Sequence, residues 1–259
     1  MMKKTFGAVS YQGERTWITS HHSMKKRNAS SEWIYLCGLY FRIMNNDTNI
    51  PGFDDFGEEP ERPPGPLAHF PAPRHAMPAL VLFIIFYLAT ATYNRYPEGE
   101  YLWVSGESVF KNNEYWRLLT SLLTHADLVH LLSNALIFLV FGWMLNAYFG
   151  LRVFPVTAVV IGLITNLVTV AVYDPAIRLL GASGMAYGMV SLWLVLYIRH
   201  DTDHSVPVRI FRAFGFVLVM LFPTTFDPQI SYLSHAVGFG TGLILGFLII
   251  PIVSVRNPG

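Results

Sequence analysis

Six stretches without Asp, Glu, Lys or Arg organise this chain: 75–94, 128–151, 153–173, 179–198, 213–226 and 228–255. Roughly 20 apolar residues in helical form cross a hydrocarbon core of about 30 Å, with a usual range of about 17–25. Five of the stretches meet that length, whereas 213–226 must borrow Ile210 and Phe211 across Arg212. Lipid offers the backbone no hydrogen-bond partner, so runs of this kind span as helices. The alternating pattern of a membrane barrel is absent. A very hydrophobic soluble helical protein is the competing reading, and so many long charge-free runs argue against it. The expected fold class is an all-α membrane protein with six transmembrane helices.

The charged residues between the runs set the orientation. The N-terminal region carries Lys3, Lys4, Arg15, Lys25, Lys26, Arg27, Arg42, Arg62 and Arg74. On the same side would lie Arg152, then Arg199, Arg209 and Arg212, then Arg256. The opposite loops hold Arg95, Lys111, Arg117 and Arg178 against seven acids from Glu98 to Asp227. Both termini are therefore expected in the cytoplasm, and the second, fourth and sixth spans begin near the outer face.

Composition agrees: 53% of residues are hydrophobic, 14% are charged, and the mean hydropathy is +0.39. A net charge of +1 with no basic stripe excludes nucleic acid as a partner. The single Cys37 excludes an internal disulfide and cannot build a metal cluster.

Two domains are expected: an N-terminal cytoplasmic region, 1–75, partly disordered, and a membrane core, 76–255. The first ends in the proline-rich linker Pro60-Glu61-Arg62-Pro63-Pro64-Gly65-Pro66, which cannot form regular helix. Residues 33–44 are apolar but too short to cross, so they read as an interfacial helix, a folded fragment, or sequence upstream of a later start at Met24, Met44 or Met77. No secretory signal is visible, while the basic, acid-poor stretch to Ser31 leaves a transit peptide open. Asn28-Ala29-Ser30 and Asn46-Asp47-Thr48 match the glycosylation pattern but face the cytoplasm on this topology. Between the first two spans, 94–124 is long and carries Trp103, Tyr115 and Trp116, which favours an element lying in the membrane interface.

Several polar residues stand where lipid should allow few. Gly181-Ala182-Ser183-Gly184 opens the fourth span and His235 lies near the start of the sixth, so topology puts Ser183 and His235 at similar depth. His130 and Asn134, four positions apart on one helical face, share that depth in the second span. Polar groups in a membrane usually face the protein interior and mark function. Serine needs a base to become a nucleophile, and histidine is the natural base at neutral pH. The glycines let a substrate approach, and a helix N-terminus directs N–H groups at a developing oxyanion. Helix capping and packing explain Ser183, Gly181 and Gly184 equally well in isolation. No aspartate is placed to orient His235, so a dyad is expected rather than a triad. Gly238, Gly242 and Gly246 form a stripe at four-residue spacing, suited to close contact between the sixth and fourth spans.

Taken in order, these residues resemble the rhomboid intramembrane serine proteases over about 77–253. The resemblance includes Trp116-Arg117, His130 with Asn134, Gly-x-Ser-Gly at Ser183, and His235 with its glycine stripe. It implies a six-helix rhomboid-like bundle with a long interfacial first loop. It also implies Ser183 as nucleophile, His235 as general base, and His130, Asn134 and the Ser183 N–H as the oxyanion clamp. Tyr187 matches an aromatic that packs against the catalytic histidine, and His125 a position that orders the first loop. The implied cavity opens outward, gated by the fifth helix and the loop before the sixth.

The implied function is an intramembrane serine endopeptidase that cuts single-span membrane proteins near the outer face of a cell membrane. No cofactor or metal is called for. The zinc motif His-Glu-x-x-His is absent. Tyr173-Asp174 matches half of an aspartyl-protease pattern, but Asp174 precedes Pro175 and no Gly-x-Gly-Asp follows. Histidines 125, 130 and 235 lack a carboxylate at metal-binding spacing. A transporter is disfavoured because the polar groups cluster near one face and no inverted repeat is apparent. The alternative is a catalytically inactive rhomboid-like protein that binds transmembrane helices for quality control. Such a protein would be expected to lose the serine or the histidine.

Overall fold

Among the described residues, helix begins at the turn Pro73–Ala76 and ends at Ile250–Ile252. The computed structural model describes residues 64–96, 99, 101–221, 231–256 and 258, without the side chains of 219–221. All of them belong to one structural unit, Arg42–Gly259. The expectations for 1–63, including the 33–44 segment, Cys37 and most of the linker, and for the loop before the sixth span, lie outside the described residues.

Seven α-helices are described: α1 (Met77–Arg95), α2 (Arg117–Leu123), α3 (Leu128–Phe149), α4 (Ala158–Val172), α5 (Ser183–His200), α6 (Val206–Leu221) and α7 (Tyr232–Ile249). Their ends follow local chemistry. A 3-10 turn, Pro73–Ala76, leads into α1, whose first turn accepts Pro78 because no intrahelical donor is needed there. The Asp127 carboxylate accepts the His130 amide at 2.7 Å and caps α3, which stops at Gly150 with φ +81°. Ser231 caps α7 by accepting the Ser234 amide.

Among the described residues, four segments are long and apolar enough to cross a membrane: Pro73–Arg95, Leu128–Phe149, Arg152–Val172 and Tyr232–Ile252. The helices α5 and α6 are not among them. In α5 the reason is visible in its sequence. Ser183, Gly184, Tyr187, Gly188 and Ser191 dilute its apolar character, yet nearly all of its residues from Gly184 to Tyr197 are buried. A helix surrounded by protein does not need a greasy surface. The outward faces of α1 (Leu80, Ile84, Leu88) and α7 (Ile244, Phe247, Leu248) are exposed and apolar, as a lipid-facing surface requires.

At the core, α5 packs against α7, α4, α3 and α6. Contact with α7 is the closest and runs along the glycine stripe. Gly238 lies against the backbone of Gly184, Gly242 against Gly188 and the Ser191 hydroxyl, and Gly246 against Val195. The Ser191 hydroxyl donates across to the Phe239 carbonyl at 2.7 Å, adding an interhelical hydrogen bond to the packing. By contrast, α6 packs on α5, with Phe216 touching Phe141 of α3 at 5.4 Å between ring centroids.

The end of the bundle away from Ser183 is strapped by the segment before α1 and the segment after α7. Side chains of α3 donate to the segment before α1: Trp143 to the Ala72 carbonyl, Asn146 to His75 and Tyr148 to His69, at 3.1, 2.8 and 2.7 Å. The Arg256 amide donates to the Tyr148 carbonyl, and the Ala72 amide to that of Pro258.

Between α1 and α3 the chain builds a small structure of its own. Arg117 is its centre, only 5% exposed. Its Nε donates to Glu114 at 2.6 Å, and its guanidinium lies over the rings of Tyr101, Trp103 and Trp116 at 4.9 to 5.2 Å. A buried cation needs this compensation.

Candidate active site

The geometry of the site begins at Gly181. Its φ of +107° is a conformation that L side chains rarely adopt, and it turns the chain sharply into α5. Ala182 follows and Ser183 opens the helix, half-buried at its N-terminus. The first amides of a helix have no carbonyl one turn back, so they point outward as donors. The segment before them is held from three sides. The Gly181 amide donates to the Ser121 carbonyl at 2.9 Å, and the Ala182 amide to His125 Nε2 at 3.3 Å. Leu179 exchanges both backbone hydrogen bonds with Val104, at 2.7 and 3.1 Å.

Two imidazoles flank this lead. His130 approaches Gly181 so closely that a β-carbon there would sit 3.0 Å from its Cε1. The His125 ring meets His130 edge-on at 5.2 Å. One helical turn from Ser183, the Tyr187 ring lies parallel to that of His235, with centroids 4.0 Å apart and planes inclined by 17°. Residues four apart share a helical face, so Ser183 and the stacked pair lie on the same side of α5. Both Tyr187 and His235 are 8% exposed. Asn134 lies one turn along α3 from His130 and donates to the His130 carbonyl at 2.9 Å.

The fold thus gathers His130, Gly181, Ser183, Gly184, Tyr187, His235 and Gly238 around the N-terminal ends of α3, α5 and α7. Asn134 sits beside them, its amide engaged with its own helix. Sequence reasoning passed over Ser121, Val104 and Leu179, because they act through backbone groups and no side-chain signal marks them. It considered Tyr173 only together with Asp174, as half of an aspartyl-protease pattern; the Asp174 carboxylate accepts the Ala176 amide at 2.9 Å, as a turn-forming aspartate does. No cluster of metal-ligating side chains occurs among the described residues.

His125 is fully buried beneath this lead. Loss of water, reinforced by the neighbouring His130, lowers its pKa from 6.5 to about 3. Neutral Nε2 is also what accepts the Ala182 amide. Because the folded pKa lies below the unfolded one, the unfolded chain takes up the proton first as pH falls. The stability His125 contributes is therefore complete above about pH 6.5 and declines from there towards pH 3. Thermal unfolding in detergent across this range should show the decline, and His125→Gln should flatten it while lowering stability at neutral pH. An unchanged slope in the variant would refute the assignment.

Comparison with known proteins places this geometry in a lineage. The family model described as Rhomboid domain matches residues 112–252, more than half of the chain and every residue of the site. The putative rhomboid protease YdcA of Bacillus subtilis is 30% identical over 139 residues, covering 53% of this chain and 68% of that protein. The rhomboid protease GlpG of Haemophilus influenzae is 29% identical over 143 residues, covering 53% and 71% respectively. RHOMBOID-like protein 6, mitochondrial, of Arabidopsis thaliana is 25% identical over 144 residues, 56% of this chain but only 47% of the plant protein. With four helices able to span a bilayer and a match running from the first loop to the end of α7, the chain is a multi-pass membrane protein and belongs to the rhomboid family.

Proposed function

We propose that this protein is an intramembrane serine endopeptidase that cuts single-span membrane proteins near the outer face of a cell membrane. The observation that carries the reading is the stack of His235 on Tyr187, one turn from Ser183 at the N-terminus of α5. It brings a base and a nucleophile to one helical face beside outward-pointing amides.

In the proposed reaction the Ser183 hydroxyl attacks the scissile carbonyl and His235 takes its proton. The negative oxygen of the tetrahedral intermediate is received by His130, Asn134 and the Ser183 amide. On collapse, the C–N bond breaks and His235 returns the proton to the departing amine. Water, deprotonated by His235, then attacks the Ser183 ester; the bond to Ser183 Oγ breaks, His235 returns the proton to that oxygen, and the acid product leaves. Tyr187 limits the rotation of the His235 ring throughout. Asn134 gives one amide hydrogen to the His130 carbonyl, which leaves its second amide hydrogen as a donor for the oxyanion.

The topology completes the proposal. All six charge-free runs cross the membrane, α5 and α6 among them, with both termini in the cytoplasm. The exposed rings of Tyr101, Phe110, Tyr115 and Trp116 suit a first loop resting in the outer interface. No cofactor enters the reaction. A fluorophosphonate probe tests the proposal without knowledge of the substrate. It should label the purified wild-type protein at Ser183, located by peptide mass spectrometry. Absence of label under conditions where the fold is intact would instead support a helix-binding scaffold.

A further inference from the structure

Among the described residues no carboxylate is paired with His235, so its placement must be set by something else. Stacking on Tyr187 fixes the plane of the ring. It does not fix where along α7 the ring stands, which depends on where that helix begins. The helix begins at Ser231, whose carbonyl accepts the His235 amide and whose Oγ accepts the Ser234 amide, both at 3.2 Å. The Tyr173 hydroxyl lies 2.9 Å from the same Oγ.

Tyr173 comes from the turn that closes α4, and this turn is rigidly held. The Tyr173 amide donates to the Thr169 carbonyl, the Asp174 carbonyl accepts from Ile177, and the Pro175 carbonyl accepts from Glu107. At Gly106 a β-carbon would stand 2.9 Å from the Val170 carbonyl, so the first loop lies directly on the end of α4. Six residues beyond Tyr173, Leu179 pairs with Val104, and the chain then runs through Gly181 into Ser183. One turn therefore fixes the lead to the serine and, through one phenol, the start of the histidine's helix.

We propose that Tyr173 is a positioning residue, its hydroxyl setting the place of His235 relative to Ser183 through Ser231. It touches neither substrate nor reacting atoms. The inference rests on the protease reading above and assigns to a neutral side chain the orienting task that a carboxylate performs in a triad.

Tyr173→Phe in the full chain is the test, because it removes the hydroxyl and leaves the ring and the Ser231 cap in place. Loss of one hydrogen bond should lower kcat and the rate of Ser183 labelling about three- to tenfold. KM should stay at its wild-type value, and the thermal midpoint should fall by no more than the loss of one hydrogen bond accounts for. Ser231→Ala should reproduce the loss, Ser231→Thr should restore most of it, and Tyr173→Phe with Ser231→Ala should be no worse than Ser231→Ala alone. A Tyr173→Phe protein with kcat and labelling within twofold of wild type would overturn the inference and leave the protease reading standing. A kcat loss that disappears when corrected for the folded fraction would overturn it as well. Wild-type protein that takes no label at Ser183 would remove the reading on which the inference rests.

Discussion

Ser183→Ala and His235→Ala are each expected to lower kcat for a single-span substrate by at least about a thousandfold, with little change in KM. Serine at neutral pH is a poor nucleophile until a base accepts its proton, and a base without a nucleophile has nothing to activate. Two groups that act as one unit give strongly non-additive losses, so the double variant should be no slower than either single one. Residual turnover, if measurable, would come from the amides at the N-terminus of α5 and from His130, which still polarise a bound carbonyl. Cleavage of a reconstituted substrate, followed by gel and mass spectrometry, measures all three variants. The histidine variant has a second readout, since its Ser183 should react with a fluorophosphonate far more slowly than wild type. Ser183→Ala retaining full activity would rule out the serine mechanism, whatever His235 does.

What could be read in the sequence was whatever depends on polarity against lipid. A charge-free run is a visible signal because water-seeking groups are expensive in hydrocarbon, and the apolar runs recur as α1, α3, α4 and α7, each within a segment able to span. The same signal weakens for α5, whose surroundings are protein and whose composition answers to close packing. Ser183 and His235 were conspicuous for being polar in such runs, and Gly238, Gly242 and Gly246 for their period. Val104, Leu179 and Ser121 were hidden. Their contribution lies in backbone groups that every residue possesses, so only the folded chain reveals which ones meet. The contact of Tyr173, noticed in the sequence only beside Asp174, was hidden for another reason. Its partner Ser231 is 58 residues away, and no spacing rule links a phenol at the end of one helix to the cap of another.

The glycine stripe gives the second large effect. Gly238→Val should destabilise the protein by about 3 kcal/mol or more and remove most of its activity, because the added side chain meets backbone rather than a movable group. A β-carbon at Gly238 would overlap the Gly184 carbonyl and crowd its carbonyl carbon and Cα. Neither helix can yield locally, because the contact is backbone on backbone, with Gly184 beside Ser183 and Gly238 one turn beyond His235. The helices must separate, and separation moves the imidazole away from the hydroxyl. Gly240 supplies the control, since nothing lies within 4 Å of the position its β-carbon would take. Gly240→Ala should retain activity and unfold at an equal or higher temperature, as alanine favours helix over glycine by up to about 1 kcal/mol. Thermal unfolding in detergent, together with the labelling rate of Ser183, separates the two variants. Equal behaviour of Gly238→Val and Gly240→Ala would mean that close contact between α5 and α7 is not what holds Ser183 and His235 in register.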